Sequence, residues 1–417
     1  MRTLIGFEIK KIVRKKSFCF SFLLFFGLQV FLSSLGAYGN VYITADGAKS
    51  SVKEDGTVLL ESFMERNRTD REAGKHFTGS VFDDAFLREV RDAFSPYTEE
   101  EDEAHRLTDA YKKNARSYEV VLERMQMYTG LRRYGYLAAQ QSGESEFYAA
   151  LDERRTQIWE TFLLSEGELA YWDGLREEQP HKLTYEYCYA YEELLGMQGA
   201  YMTHMILVFF LAMTMTWVFL IEVNQNTDQM ILCTKRGRGQ AYAAKLIAGE
   251  LVTFAMTLLC AAALFIGRIA VYGGEGFCAR FADAMAPWYP SGLTMGECWL
   301  LFLLILLLSS ALISLIAMLL SWVTRNGIAS VAALVGGLFV ARLVPIPSRF
   351  RLAGMLWHAL PINLLKLDEG FLDMRLFHLP GGYLRVWQMA LVLYVFCIAV
   401  LVLAGKRLYC RTQINGR

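Results

Sequence analysis

Charged residues near or within long apolar segments are the first candidates for chemistry in this sequence. Three stand out, namely Glu250, Arg268 and Arg342. A charge in such a segment indicates a candidate path for ions or polar solutes, because burying it in hydrocarbon is costly. Glu250 lies about one turn from the end of its segment, and all three side chains are long enough to reach a polar boundary. Glu250 is the candidate pathway residue, with a purely structural role as the alternative.

Motifs for nucleotide binding or bond chemistry are missing from the sequence. No GxxxxGK[ST] occurs, and the string of Ala48, Lys49 and Ser50 fails because Ala48 replaces the required glycine. HExxH, GxSxG and Rossmann fingerprints are also missing. The eight cysteines form no CxxC pair, and the six histidines lack metal-ligand spacing. We therefore expect neither an enzyme active site nor a cofactor in this chain.

A polar loop over residues 222–245 separates two apolar segments and carries the densest set of candidate contact residues. A short amphipathic stretch is followed by a basic turn, which is the pattern of a small helix that docks into a cleft on a soluble partner. Pairing of the bases with acidic lipid head groups is the equal alternative. The candidate residues are Glu222, Asp228, Met230, Ile231, Leu232, Lys235, Arg236, Arg238 and Lys245.

The elements that must position these residues are membrane-spanning helices, since the chain is 54% hydrophobic and its apolar residues form long runs. Six spans are predicted, at residues 17–37, 204–221, 246–271, 298–322, 328–343 and 386–405. The first run exceeds the ~7–15 apolar residues of a secretory signal, so a retained span is favoured over a cleaved leader. The fifth is short, and Gly336 and Gly337 predict a break in it.

Charge distribution predicts the orientation of these spans. With the N-terminus inside, the inner segments carry 15 basic and three acidic residues, as the positive-inside rule requires. Residues 1–16 then form an amphipathic helix in the interface, and the loop 222–245 and the tail 406–417 are cytoplasmic. Residues 272–297 and 344–385 are outer loops, and residues 38–203 form an extracytoplasmic domain.

The predicted outer domain is acidic and mostly helical. Residues 40–200 contain 32 acidic and 19 basic residues, against 10 and 23 in the rest of the chain, which argues against nucleic-acid binding. Helical periodicity joins Tyr111, Ala115, Tyr118, Leu122 and Met125, and again Phe147, Leu151, Ile158 and Phe162. Helix breaks are expected at residues 78–79 and 95–96, and a small hairpin within residues 41–57. Packing is favoured over ligand contact for Tyr185, Tyr187, Tyr189 and Tyr191.

Taken together, the chain resembles the permease subunits of type-2 ABC exporters. The resemblance rests on the N-terminal FEIKKIVRKKSF at residues 7–18, on Glu222 at the end of the second span, on the turn at residues 234–238 and on Lys245. A glycine that often follows the glutamate in the family is absent here. A large domain between the first two spans is similar to one branch of the family, seen among Gram-positive bacteria.

This resemblance implies an all-α fold with six spans in the plasma membrane and an inserted outer domain. It also implies two permease chains, identical or related, each docked to a separate ATPase that binds ATP and Mg²⁺. Met230–Leu232 would form the docking face, with Glu222 and Arg238 fixing the helix ends. The expected activity is export of a peptide, drug-like or other amphipathic compound. The alternative function is a membrane receptor or adaptor that senses a ligand through the outer domain.

Overall fold

The chain divides into two compact units in the computed structural model. The structure describes residues 1–34, 37–44, 49–97, 103–130, 143–196, 199–225, 227, 230, 237–347 and 349–411. The first unit, called the apolar unit, comprises Met1–Leu32, Met197–Leu264 and Leu301–Arg417. The second, called the polar unit, comprises Ser33–Gly196 and Phe265–Leu300.

Helices account for 73% of the structure. In chain order they are α1 (Arg2–Val13), α2 (Lys16–Ser34), α3 (Phe63–Phe77), α4 (Asp84–Phe94), α5 (Asp109–Asn114), α6 (Glu119–Thr129), α7 (Glu144–Thr161), α8 (Glu166–Glu177), α9 (Tyr189–Leu195), α10 (Gly199–Met215), α11 (Trp217–Asn224), α12 (Tyr242–Tyr272), α13 (Phe281–Ala284), α14 (Met295–Thr324), α15 (Gly327–Leu343), α16 (Arg351–His358), α17 (Pro361–Leu364) and α18 (Val386–Arg411). Short 3-10 segments lie at Glu103–Leu107 and Arg116–Tyr118, and π turns at Gly237–Ala241 and Leu367–Phe371.

Within the described residues, five helical segments are long and apolar enough to cross a membrane, so the chain is a multi-pass membrane protein by length and composition. They are Lys16–Ser34, Tyr189–Asn224, Arg238–Tyr272, Met295–Thr324 and Val386–Arg411. The apolar helix α15 has only 17 residues, which at ~1.5 Å per residue falls short of a ~30 Å hydrocarbon core. The six-span arrangement and the inserted outer domain therefore remain predictions.

The predicted break at Gly336 and Gly337 is wrong. Helix α15 runs without interruption from Gly327 to Leu343. A Cβ atom built on either glycine would meet no atom within 4 Å, so no close approach requires these glycines. Glycine is common in membrane helices, where the surroundings cannot hydrogen-bond an unwound backbone.

The long helices keep large apolar side chains on their surfaces. Phe20, Leu23 and Leu24 of α2 are exposed, and so are Val392 and Phe396 of α18. In water such surfaces would be unfavourable, since burial of apolar area drives folding. A hydrocarbon environment removes this cost, which agrees with the membrane assignment.

The polar unit has a conventional aromatic core. Phe82 lies at its centre, stacked on Phe147 at a centroid distance of 5.5 Å and edge-on to Tyr128 at 5.7 Å. Helix α3 begins at a capping box in which Ser62 and Glu65 bond each other's backbone amides. These contacts fold residues of the polar unit around one apolar centre.

The first predicted apolar face of the polar unit is confirmed except at the half-buried Tyr118, and the second is confirmed only at Phe147 and Leu151, since Ile158 and Phe162 are half-buried. Tyr111, Ala115, Leu122 and Met125 are fully buried, although the helix is divided into α5 and α6 by the 3-10 turn at Arg116–Tyr118. Phe147 and Leu151 of α7 are also buried. Helices α3 and α4 end at Phe77 and Phe94, directly before the two expected breaks.

The described residues contain two small antiparallel sheets besides the helices. Strands β1 (Asn40–Ile43) and β2 (Lys49–Ser50) pair antiparallel, which confirms the small hairpin expected within residues 41–57. Strand β3 (Val58–Ser62) was not predicted and completes this sheet in the order β2-β1-β3. Within predicted outer loop 344–385, β4 (Leu376–Leu379) pairs with β5 (Gly382–Arg385). Gly381 lies in their tight turn at φ +114°, a conformation that favours glycine.

A bridged carboxylate in the polar unit makes its stability depend on pH. Glu275 accepts hydrogen bonds from Arg71 Nη2 at 2.6 Å and Nε at 3.1 Å, and its Oε1 lies 2.6 Å from Lys75 Nζ. The Arg71 guanidinium lowers the Glu275 pKa from 4.5 to about 2. Because the pKa of Glu275 is lowered in the folded state, the ionised carboxylate stabilises the fold at pH values above its ordinary pKa of 4.5. This contribution to the free energy of unfolding is lost as the pH falls through the lowered pKa.

We expect Glu275→Gln to destabilise the protein by about 1 kcal/mol at pH 7, because the site is partly exposed and solvent screens it. The difference in free energy of unfolding between wild type and Glu275→Gln should shrink as the pH falls from 4.5 to 2. Thermal unfolding of the purified protein across this pH range measures both effects. Glu177→Gln, at an exposed acid of the same unit, is the control. A Glu275→Gln deficit that is constant with pH would contradict the assignment.

Candidate functional site

Four charged side chains meet where α1, α11 and α12 pack together in the apolar unit. They are Glu8 and Lys11 of α1, Glu222 of α11 and Lys245 of α12, and we call them the ion cluster. Lys11 Nζ donates to Glu222 Oε1 at 2.7 Å and lies 3.7 Å from Glu8 Oε2. Lys245 Nζ forms an ion pair with Glu222 Oε2. Glu222 thus holds one lysine on each carboxylate oxygen.

Local sequence places each member of the ion cluster. Glu8 and Lys11 are three residues apart, so they share one face of α1, next to the buried Ile12. Glu222 lies in the last turn of α11, and Lys245 lies in the first turn of α12. The cluster therefore connects both ends of the loop at residues 225–241 to the N-terminal helix.

Burial makes the ion cluster sensitive to substitution. Glu222 and Lys245 are 4% and 1% exposed, so neither charge is well solvated by water. Two carboxylates and two ammonium groups balance each other, and the Lys245 ammonium also lies 5.7 Å from the centre of the Phe219 ring. Removing one member of such a buried set leaves an opposite charge without compensation.

Arg238, which was predicted to fix an end of the docking helix, contacts the last turn of α18. Its Nη1 donates to the backbone carbonyl of Cys410 at 3.2 Å, in the last turn of α18. Nearby, Tyr242 Oη donates to the Val402 carbonyl at 3.0 Å. The Cys410 carbonyl is one of the last four of α18, which lack a partner within the helix, so the Arg238 cation satisfies it and suits the negative end of the helix dipole. The start of α12 is thereby fastened to α18, while Glu222 and Lys245 fasten it to α11 and α1.

The predicted docking face is only partly described. Met230 is 72% exposed, as a contact residue for a partner must be. Asp228, Ile231, Leu232, Lys235 and Arg236 lie outside the described residues. The docking role of this stretch stays a prediction.

Glu250 lies at a second polar position of the apolar unit. Ser314 Oγ of α14 donates to Glu250 Oε1 at 2.8 Å, while the buried Oε2 has no hydrogen-bond partner among the described residues. Gly249 permits this approach, because a Cβ atom there would stand 2.5 Å from Met318 Sδ of α14.

Buried hydroxyl groups accompany Glu250 inside the apolar unit. Thr253 and Thr257 follow it along one face of α12, and Ser310 of α14 is also fully buried. A cavity of about 310 Å³ reaches Glu250 between the apolar side chains of Leu246, Phe254, Leu308, Ala311, Leu315, Val395, Ile398 and Val402. A carboxyl group with buried hydroxyls in an apolar surround is an arrangement that can hold a proton or a polar solute.

The two arginines singled out with Glu250 have structural partners. Arg268 is 4% exposed and lies 3.5 Å from Glu193 Oε2 within the polar unit. Arg342 Nη1 donates to Glu369 Oε2 at 2.7 Å within the apolar unit. Both charges are thus compensated by specific carboxylates.

Sequence reasoning missed Glu8, Lys11 and Ser314 as site residues. The signal for the first two was present, because an acid and a base three residues apart flank the apolar face of α1. No sequence pattern indicates that Lys11 contacts Glu222, which lies 211 residues away.

Within the described part of the chain, no group of three or more His, Cys, Asp or Glu side chains is placed to hold a metal ion. Comparisons of the chain with protein-family profiles, with curated proteins and with solved structures found no match.

Proposed function

We propose that this chain is the permease subunit of an ATP-binding cassette transporter, and that it exports an amphipathic compound, such as a peptide or drug-like molecule, with a separate ATPase subunit. The observation that carries the proposal is the ion cluster. It joins both ends of the loop 225–241 to α1, so a force on that loop is passed directly to three helices. The five candidate spans and the exposed Met230 support the same reading.

The mechanism follows from this mechanical connection. A partner ATPase would dock on the loop through Met230 and its neighbours, with ATP and Mg²⁺ bound in the ATPase. Closure of two ATPases would move the loops of two permease chains, and the ion cluster would turn that motion into a rearrangement of helices. The permease helices would thus interconvert between two arrangements. The ATPases can shift that equilibrium only by the difference between their affinities for the two arrangements. Glu250 and the hydroxyl groups beside it would line the path of the exported compound.

Purification of the tagged full-length chain from its native membranes, followed by mass spectrometry, tests the proposal. We expect a stoichiometric ATPase carrying a P-loop, and a loss of at least ten-fold in its recovery from Met230→Asp, because a buried charge in an apolar docking face costs over ~1.4 kcal/mol. The triple replacement of Met230, Ile231 and Leu232 by Asp should abolish recovery. Met64→Asp, at an exposed methionine of the polar unit, is the matched control.

A membrane receptor or adaptor is the second candidate, favoured by a cavity of about 210 Å³ in the polar unit. Its lining includes Tyr185, Tyr187, Tyr189 and Tyr272 beside the ion pair of Arg124 and Glu192. Tyr185, Tyr187 and Tyr191 pack as expected, being nearly fully buried, but Tyr189 is 39% exposed. Absence of any ATPase from a monodisperse preparation would move the assignment to this second function.

A further inference from the structure

A groove along the N-terminal part of the apolar unit combines an apolar floor with a basic rim. One cavity of about 470 Å³ runs between α1, α2, α10 and α11, lined mainly by Ile12, Phe18, Met213, Thr214, Val218 and Ile221. A second, of about 520 Å³, continues it past Phe7, Lys11, Arg14 and Asn224. The two share Lys15, Trp217 and Ile221. We call their union the lipid groove.

Charge is concentrated at one end of the lipid groove. Arg14 and Lys15 are exposed, and no described carboxylate lies within ion-pair distance of either. Lys15 Nζ stands 4.4 Å from the centre of the Trp217 ring, at the junction of the two cavities. The nearby carboxylates of Glu8 and Glu222 are already compensated within the ion cluster. This end therefore attracts an anion.

The apolar end fits a hydrocarbon chain. Phe18 of α2 and Met213 of α10 form part of its walls, and the Thr214 hydroxyl that lines it is satisfied by the Phe210 carbonyl at 2.8 Å. Ser21 Oγ likewise donates to the Phe18 carbonyl at 3.0 Å. The hydroxyl groups of Thr214 and Ser21 thus have backbone partners, so an apolar occupant beside them leaves neither hydroxyl unpaired.

We propose that the lipid groove binds one anionic glycerophospholipid, with its phosphate at Arg14 and Lys15 and one acyl chain along Phe18 and Met213. Basic pockets between membrane helices recognise acidic head groups by charge, and a tryptophan at the boundary of polar and apolar regions is typical of a membrane interface. A free phosphate would use only the basic rim and leave the apolar wall uncovered.

Quenching of Trp217 fluorescence by brominated lipid tests the site. The full-length protein is reconstituted in phosphatidylcholine vesicles that contain either dibrominated phosphatidylglycerol or dibrominated phosphatidylcholine. Subtracting the signal of Trp217→Phe isolates this tryptophan. We expect half-maximal quenching by phosphatidylglycerol at roughly twenty-five-fold lower mole fraction than by phosphatidylcholine, since two basic groups contribute about five-fold each.

Two matched variants locate the head-group contact. Combined Arg14→Gln and Lys15→Gln should abolish the preference for phosphatidylglycerol. Combined Lys10→Gln and Lys16→Gln removes the same charge from exposed residues that do not line the groove, and should keep most of the preference. Equal losses in both variants would show diffuse attraction of the basic segment to the vesicle surface, and would overturn the proposal.

A third variant tests the acyl-chain position. Ser21→Phe fills the apolar end without changing charge, and should weaken quenching by both lipids while thermal unfolding stays at the wild-type temperature. Unchanged quenching in Ser21→Phe would place the lipid at the rim only and overturn the proposal. Wild-type Trp217 that neither lipid quenches would show that a second copy of the chain covers the groove instead.

Discussion

Lys245→Met is expected to lower the free energy of unfolding by ~3–5 kcal/mol, the usual cost of breaking a buried ion pair from one side. The variant leaves the Glu222 carboxylate buried, with Lys11 as its remaining cationic partner. The measurement is thermal unfolding of the detergent-solubilised protein, together with ATPase stimulation in any complex with a partner ATPase. We expect both to fall, because the loop 225–241 loses its fastening at α12.

Two companions make the Lys245 result interpretable. Lys406→Met removes an exposed lysine near the end of α18 and should leave unfolding unchanged. Combined Glu222→Gln and Lys245→Met removes both charges, and should recover part of the stability without recovering ATPase stimulation. Equal unfolding temperatures for Lys245→Met and Lys406→Met would show that the ion cluster contributes nothing.

Arg375→Met is expected to have an effect of similar size elsewhere in the apolar unit. Asp373 is fully buried. Its carboxylate accepts hydrogen bonds from Arg375 Nε at 2.9 Å and Nη2 at 2.6 Å, and its Oδ2 lies 2.8 Å from His358 Nδ1. Burial alone would raise the Asp373 pKa, but hydrogen bonds from Arg375 and His358 outweigh it and hold the pKa below its usual range. Without Arg375, we expect ~3–5 kcal/mol less stability at pH 7.

The Arg375 deficit should respond both to pH and to a second substitution. Because the folded-state pKa of Asp373 is lowered, its contribution is present above pH ~4 and is lost as pH falls further. The difference in unfolding temperature between wild type and Arg375→Met should therefore narrow in acid. Asp373→Asn in the Arg375→Met background should restore stability, because it removes the uncompensated carboxylate. No restoration would mean that Arg375 acts through packing alone.

Apolar runs were predictable from the sequence because the hydropathy of a membrane helix is a local property. The run around Leu304 and Ile305 lies within α14, close to its predicted bounds. The failure at Gly336 and Gly337 is also physical. Low helix propensity measured in water does not break a helix whose backbone has no alternative hydrogen-bond partner in hydrocarbon.

Pairings between distant segments were the part that sequence could not supply. Glu222 and Lys245 stand at the two ends of one loop, so their joint role could be expected, whereas Lys11 reaches Glu222 only through the packing of α1 against α11. The hairpin of β4 and β5 was missed because its four-residue strands carry too short a pattern to separate from a loop.

The polar unit is assembled from two stretches of chain that are made at different times. Tyr128 donates to the carbonyl of Asp283, and Trp159 Nε1 donates to the carbonyl of Trp288 at 2.9 Å. Both acceptors belong to residues 265–300, which leave the ribosome after α10, α11 and most of α12. Since the chain is synthesised at ~5–20 residues per second, the first stretch exists for several seconds before the acceptors of Tyr128 and Trp159 have been made. The polar unit can therefore complete its folding only late in biosynthesis, after the helices between its two stretches have been synthesised.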